Sequence, residues 1–277
     1  MYIRNRIKGG NQRYKVVPRQ FLEFLSGPDR QPFKIGSGRL ELAQAIASKE
    51  NPLTARVMVN RIWMHHFGEG LVRTPSDFGH QGEHPSHPGL LDDLARRFLE
   101  HGWSIKWLHR EILQSATWQQ SIHNPAAQKA DPANEHLARM NRRRLDVEAW
   151  RDAILHASGQ LDPKLGGEPK DLNANDNHRR TLYGAIHRRE PNQFLPIHDF
   201  PDPPAHAPTR PQTITPLQQL FTLNGPFIHR QAEACAVQLM KQQGTEARIT
   251  AAHQKLFQRA PREAELKIAI AFLVGKE

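Results

Sequence analysis

The chain contains a single cysteine, Cys235. One thiol closes no internal disulfide, and no cysteine cluster is available for zinc or an iron–sulfur centre. A CxxCH haem attachment is excluded for the same reason. No stretch approaches the length and apolarity of a membrane span. The opening residues, MYIRNRIKGG, lack the apolar run of a signal peptide. No serine sits in a GxSxG frame, and the glycines of KIGSGR match neither a dinucleotide-binding nor a P-loop pattern. Acidic residues are the scarcer sign, 28 against 38 basic ones, for a formal charge of +10. That balance permits an acidic polysaccharide, an anionic surface or a nucleic acid as partner. No zinc finger, Gly-flanked aromatic platform or basic zipper accompanies the arginines. Nucleic acid is therefore not the expected partner, and the densest run, RMNRRR at 139–144, reads as a solvated face or a set of salt bridges.

What is present is the periodicity of helices broken by proline, at 21 residues of 277. Residues 1–37 form a poorly patterned lead-in with a short apolar segment at Phe21–Leu25. Ser37 is the expected cap of a helix through RLELAQAI. LLDDLARRFLEHG and IKWLHREILQSA, with Gly102 and Trp103 between the helices and Ser104 as a cap, predict an αα-hairpin. Asp146 is the expected cap of VEAWRDAILHASG, with Leu145 and Trp150 at staple spacing and Gly159 as its stop. Thr215-Pro216 and Pro226 open two further helices, and another covers about 262–273. RRTLYGAIHRR is the best strand candidate. The expected fold is mainly α, an irregular helical domain with long Pro-rich loops and a small β-hairpin at most. The expected division is a lead-in over 1–37, a main helical domain over 38–242, and a helical tail over 243–277 packing on that domain.

The stretch NPLTARVMVNRIWMHHFGEG, 51–70, is apolar almost all round. Asn51 and Pro52 open it as cap and first-turn residue, and Gly68 and Gly70 end it. Helical stepping groups Leu53, Val57, Met64 and Phe67 on one side. Asn60 and Arg56 fall on that side too, whereas Arg61 lies on the polar stripe. Arg56 and Asn60 are therefore expected to be buried polar scaffolding rather than reacting groups. His65 is expected to face solvent and His66 the protein.

Four blocks carry a resemblance to a known family. They are VVPRQFLEFLSG leading into GSGRLELAQAIASKENPLTARVMVNRIWMHHFGEGLVRTPSDFG, then HPSHPGLLDDLARRFLEHGWSIKWLHREILQSATWQQS, then RMNRRRLDVEAWRDAILHASGQLDPKLGG, and finally HDFPDPPAHAPTRPQTITPLQQLFTLNGPFIHRQA. Together they resemble the planctomycetal PSD1 family, DUF1553, a domain of unknown function, over about 17–240. The resemblance implies a module at the end of larger proteins, preceded by another planctomycetal domain and often by a cytochrome-c-like one. It implies export or a periplasmic location. The abrupt start of this chain fits the rear part of such a protein. No catalytic residues come with the resemblance.

The densest histidine group is GHQGEHPSHPG, with His80, His84 and His87 beside Asp77 and Glu83. These are the candidate metal ligands, but their spacing lacks the helical register of HExxH. The expectation is no bound metal and no cofactor, with His87 holding its loop to the next helix. In HDFPDP the prolines stiffen a segment carrying Asp199 and Asp202, with Arg210 nearby. These residues could present two acids to a sugar or to calcium, although the DxDxDG rhythm of a dedicated calcium loop is missing, or Asp199 could accept backbone N–H bonds and lock the segment over the helices. The candidate functional residues are Arg56, Asn60, Arg61, His87, Asp199, Asp202 and Arg210. The expected function is a non-catalytic accessory or interaction module of a surface or exported assembly, related to polysaccharide. The alternative is a hydrolase or other carbohydrate-active enzyme with an Asp/Arg/His site.

Overall fold

The structure is a computed structural model that describes residues 18–187, 194–203 and 205–275. The chain divides into two compact units, Met1–Arg143 and Arg144–Glu277. Eleven α-helices lie among the described residues, and strand structure is limited to two isolated bridges. None of these helices is long and apolar enough to cross a membrane.

In the first unit, two short helices, α1 (Glu23–Ser26) and α2 (Arg39–Ile46), precede α3 (Pro52–Phe67). Asn51 caps α3 by accepting the Leu53 N–H at 3.1 Å, and its amide nitrogen donates to the Ile46 carbonyl of α2 at 3.0 Å. One side chain thus sets both the start of α3 and its turn from α2. The cap of α2 itself is Gly38, at φ 75°, not Ser37. Next come α4 (Pro88–Glu100) and α5 (Ile105–Leu113), the anticipated hairpin. Gly102 and Trp103 both take left-handed backbone angles between them, and Ser104 caps α5 by accepting the Trp107 N–H at 3.2 Å. A short α6 (Pro125–Ala130) follows.

The core of this unit joins Ala55, Val59, Ile62, Trp63 and Phe67 of α3 to Leu91, Leu94 and Phe98 of α4 and Leu108 and Ile112 of α5. The buried arc of α3 is rotated from the one the spacing suggested. Leu53, Val57 and Met64 are only half-buried. A helix apolar all round has no preferred side of its own, so its neighbours choose one.

Asn60 is fully buried, with its amide set against the backbone of Val72. It donates to the Val72 carbonyl at 3.0 Å and accepts the Val72 N–H at 2.8 Å. The side chain acts as a substitute peptide group where no second strand exists. Gly70 is needed beside it, since a Cβ there would come within 2.8 Å of the Asn60 amide and 2.5 Å of the Val72 carbonyl. The adjoining Leu71 carbonyl accepts the Ser86 N–H at 2.8 Å, which fixes both ends of the intervening loop.

Arg56 corrects the expectation. It is half-exposed and makes one ion pair, to the exposed Asp92 of α4 at 2.7 Å. It sits in the second turn of α3, and its side chain runs along the surface to α4. Arg61 and His65 are exposed as anticipated. His66 is half-buried, with its Nε2 2.7 Å from Nδ1 of His109 and its ring edge-on to Trp118.

The second unit begins with α7 (Val147–Ala157) and continues through irregular chain to α8 (Pro216–Asn224), α9 (Pro226–Leu239), α10 (Thr245–Phe257) and α11 (Glu263–Val274). Gly159 ends α7 at φ 71°, with Gln238 of α9 packed so close that a Cβ would collide with it. Val147, Leu172, Phe194 and Leu195 form a small core with Trp150, Phe200 and Phe221. Asp146 makes no side-chain cap bond and Leu145 is 56% exposed, so the expected staple does not form.

Among the described residues, Arg151 is the largest fully buried side chain. It donates to the Arg179 carbonyl at 3.0 Å, to the Thr181 hydroxyl at 3.3 Å and to the Asn177 carbonyl. Phe227 lies 5.4 Å from its guanidinium. The neighbouring Asp152 accepts both the Thr181 N–H and hydroxyl at 2.7 Å. These bonds bend the expected strand. Thr181–Tyr183 is a 3-10 turn, and Leu182 points outward at 71% exposure. The turn lies between two isolated parallel bridges, Asp162 with Arg179 and Lys170 with Gly184. A strand needs a partner ladder, and here a helix side chain takes the N–H that such a ladder would use. Arg188 and Arg189 of that candidate lie outside the described residues.

Asn60→Ala leaves both polar groups of Val72 buried without partners, at about 1–3 kcal/mol each. The expected loss of unfolding free energy is more than about 1 kcal/mol. Arg56→Ala removes only an exposed pair and is expected to cost less than about 1 kcal/mol. Arg61→Ala is expected to stay within about 0.5 kcal/mol of wild type. Denaturant melts measure all three, and wild-type stability in Asn60→Ala would contradict the assignment.

Candidate functional site

The second unit holds a cavity of about 680 Å³. Its walls come from the start of α7, the turn at 196–199 and α8. Val147 and Trp150 supply one side, and Leu145, Ile214 and Leu223 are exposed around it. Polar groups reach it from Arg144, His198, Gln218, Gln219 and Thr222.

The geometry depends on Asp199. Pro196–His198 is a 3-10 turn, and Asp199 follows it at φ 63°, a left-handed angle that Asp tolerates better than most residues. Its carboxylate accepts the Thr213 N–H at 3.0 Å, the Thr213 hydroxyl, the Gln218 amide at 3.3 Å and the Arg144 guanidinium at 3.2 Å. Burial pushes its pKa up, but the Thr213 and Gln218 bonds and the Arg144 charge outweigh that and hold it below the ordinary carboxylate value. Gln218 is shared. Its carbonyl oxygen accepts the Thr215 N–H at 3.2 Å while the Thr215 hydroxyl accepts the Gln218 N–H at 3.3 Å, a capping box that starts α8. The same amide that caps the helix thus ties it to Asp199.

Arg210 is held separately. It makes a two-pronged pair with Glu148 of α7, at 2.6 and 2.8 Å, and lies 5.3 Å from the Phe200 ring. The hydrogen bond to Glu148 raises its pKa above the ordinary value. The two locks, Asp199 to Thr213 and Arg210 to Glu148, fasten the Pro-rich segment at both ends. Asp202 is exposed and stands outside both.

His198 is the residue that sequence reasoning missed. It is 8% exposed, and its Nε2 has no hydrogen-bond partner. The ring lies 4.7 Å from Trp150, 5.4 Å from Phe194 and 5.3 Å from Phe221. Burial first, then the Arg144 charge, depresses its pKa, with Asp199 opposing them. A neutral imidazole in the wall can offer or accept one hydrogen bond. Its neighbour Asp199 has no uncommitted oxygen to serve as a general base. Trp150 and Arg144 were also unassigned. The legible signal was Thr215-x-x-Gln218 beside HDF, but nothing local joins the two.

The histidine loop gathers no such arrangement. His80 and His84 are exposed, and His87 meets Ser86 at 3.0 Å through Nδ1. Among the described residues, no three His, Cys, Asp or Glu side chains converge to hold a metal. Cys235, on α9, is half-buried.

Two imidazoles, His66 half-buried and His198 buried, predict the acid response. His66 is depressed by burial, then by His109 and Arg143, and His198 by burial and Arg144. The unfolded chain takes up these protons more readily, so the stability they support is complete above about pH 6.5 and is lost as pH falls below it. Denaturant melts at pH 7.5 and 5.5 should show lower stability at the acid end. The drop should shrink in a His66→Gln/His198→Gln variant, and an unchanged drop would exclude both rings as its source.

No curated protein and no solved structure matches the chain. A family described as a protein of unknown function, DUF1553, matches residues 38–273. That span takes in the caps, the core of the first unit and every residue of the cavity. The chain belongs to the PSD1 (DUF1553) family.

Proposed function

We propose that the protein is a non-catalytic interaction module of a larger surface or exported assembly. The cavity of the second unit is its docking site, taking an apolar segment of a partner. The observation that supports this is the character of the opening. Leu145, Ile214 and Leu223 border it at 56, 84 and 68% exposure, and among the described residues Arg144 is the sole charged one in its lining. Exposed apolar side chains grouped at a concave site favour a ligand that buries them.

The competing reading is a hydrolase or other carbohydrate-active enzyme using an Asp/Arg/His site. General acid–base cleavage of a glycoside needs two carboxyl groups facing one bond. Asp199 is engaged on all sides, Arg210 is taken by Glu148, and Asp202 belongs to neither network. Those commitments favour binding over turnover. In the longer architecture that the family resemblance implies, redox chemistry would reside in a cytochrome-c-like domain.

An environment-sensitive apolar dye tests the site directly. The wild type is expected to bind it, and Leu223→Asp, an exposed change, should weaken that binding at least fivefold without altering the fold. Asp199→Asn should lose more than about 1 kcal/mol of stability, because a charge-assisted network is broken. Turnover of a defined glycan that vanishes in Asp199→Asn would overturn the reading in favour of the enzyme.

A further inference from the structure

We propose that the first unit carries a second site, for a carboxylate-bearing saccharide, in the cavity lined by Arg142. This inference does not depend on the cavity of the second unit. It begins with the arginine run at 139–144. Arg139 donates to the Asp131 carbonyl at 2.9 Å and the Pro132 carbonyl at 2.8 Å. Arg143 donates to the His65 carbonyl and, at 2.8 Å, to that of His66. Arg144 pairs with Asp199. Arg142 differs from all three, since among the described residues it has no hydrogen-bond or ion-pair partner. It lines a cavity of about 440 Å³ instead.

The rest of the lining selects the ligand. Arg139 and His123 stand with Arg142, and no carboxylate contributes. The nearby Asp131 directs its carboxylate to the His136 N–H, at 2.9 Å, and is not in the wall. Arg139 keeps its guanidinium on the Asp131 and Pro132 carbonyls, and its charge also acts on the Asp131 carboxylate, so recognition falls to Arg142. A guanidinium fork of this kind matches a carboxylate in two-pronged fashion. Gln128 brings an amide suited to hydroxyl groups, and Met140 supplies an apolar surface for the C–H face of a sugar ring. No Phe, Tyr or Trp lines the cavity, so bases of a nucleic acid would find no stacking platform.

The site is also held in place. Asn134 donates to the Arg139 carbonyl at 2.7 Å, and the Met140 N–H donates to the Ser121 carbonyl at 3.1 Å. Asn141 reaches back to the Phe67 carbonyl, at the end of α3, at 3.3 Å. The backbone that presents Arg142 is thus anchored to the core while its guanidinium is left for a ligand. Anchored backbone and unengaged charge together lower the ordering cost of binding.

Calorimetry with a galacturonic acid trisaccharide tests the proposal on the full chain, with the neutral galactose trisaccharide, inorganic sulfate and a short single-stranded oligonucleotide as comparisons. The uronate is expected to bind the wild type, and more weakly as salt rises from about 0.05 to 0.5 M. Arg142→Gln should weaken it at least tenfold and Arg142→Glu should abolish it. Neither variant should move the thermal midpoint, because Arg142 is exposed and unbonded. The proposal is overturned by any of several results: no uronate binding, equal binding of the neutral sugar, or sulfate bound as tightly as the trisaccharide. Tighter binding of the oligonucleotide, or unchanged affinity in Arg142→Glu, would overturn it as well.

Discussion

Long irregular connections with almost no sheet leave many backbone groups in need of partners, and this one constraint organises both units. Buried N–H and carbonyl groups must be satisfied, or each costs free energy comparable to a lost hydrogen bond. Helices satisfy their own. The segments between them here are served by polar side chains sent from helices and turns. Asn60 serves Val72, Arg151 serves the carbonyls of Asn177 and Arg179, and Asp199 serves the Thr213 N–H. Arg143 does the same for the last carbonyls of α3, where a cation also complements the helix dipole.

The Arg151 arrangement shows how far this goes. A guanidinium at 2% exposure would be strongly unfavourable alone. Its donors meet two carbonyls and a hydroxyl, and an aromatic ring lies close by. A hydrophobic residue there would pack well but leave those acceptors bare. The irregular chain around 177–181 and the buried arginine therefore require each other. Arg179 repeats the device further out, donating to the carbonyls of Lys164, Gly166 and Glu168 beside Tyr183.

The same economy of polar groups shapes the cavity of the second unit. Asp199 and Gln218 are structural members that fix where His198, Trp150 and Arg144 stand. Commitment of the carboxylate to four donors makes its position firm and holds its pKa below the ordinary value. Rigid walls with an apolar border are suited to recognition.

The sequence by itself determined the helical class and most helix ends. Asn51, Ser104 and the Thr215–Gln218 box act through bonds two or three residues long, and Gly68 and Gly159 through their own backbone angles. It also singled out Asn60, Asp199 and Arg210. Only the tertiary structure decided which arc of α3 is buried, that Asn60 is enclosed while Arg56 reaches solvent, and that Arg151 lies in the core. It alone brought Thr213 and Gln218 to Asp199 and left His198 without a partner at Nε2. Arg151 falls with Val147 and Leu155 on one stripe, yet its acceptors lie 26 or more residues away. Caps and periodicity are set within a few residues, whereas the partner of a buried polar group is chosen by how distant segments pack.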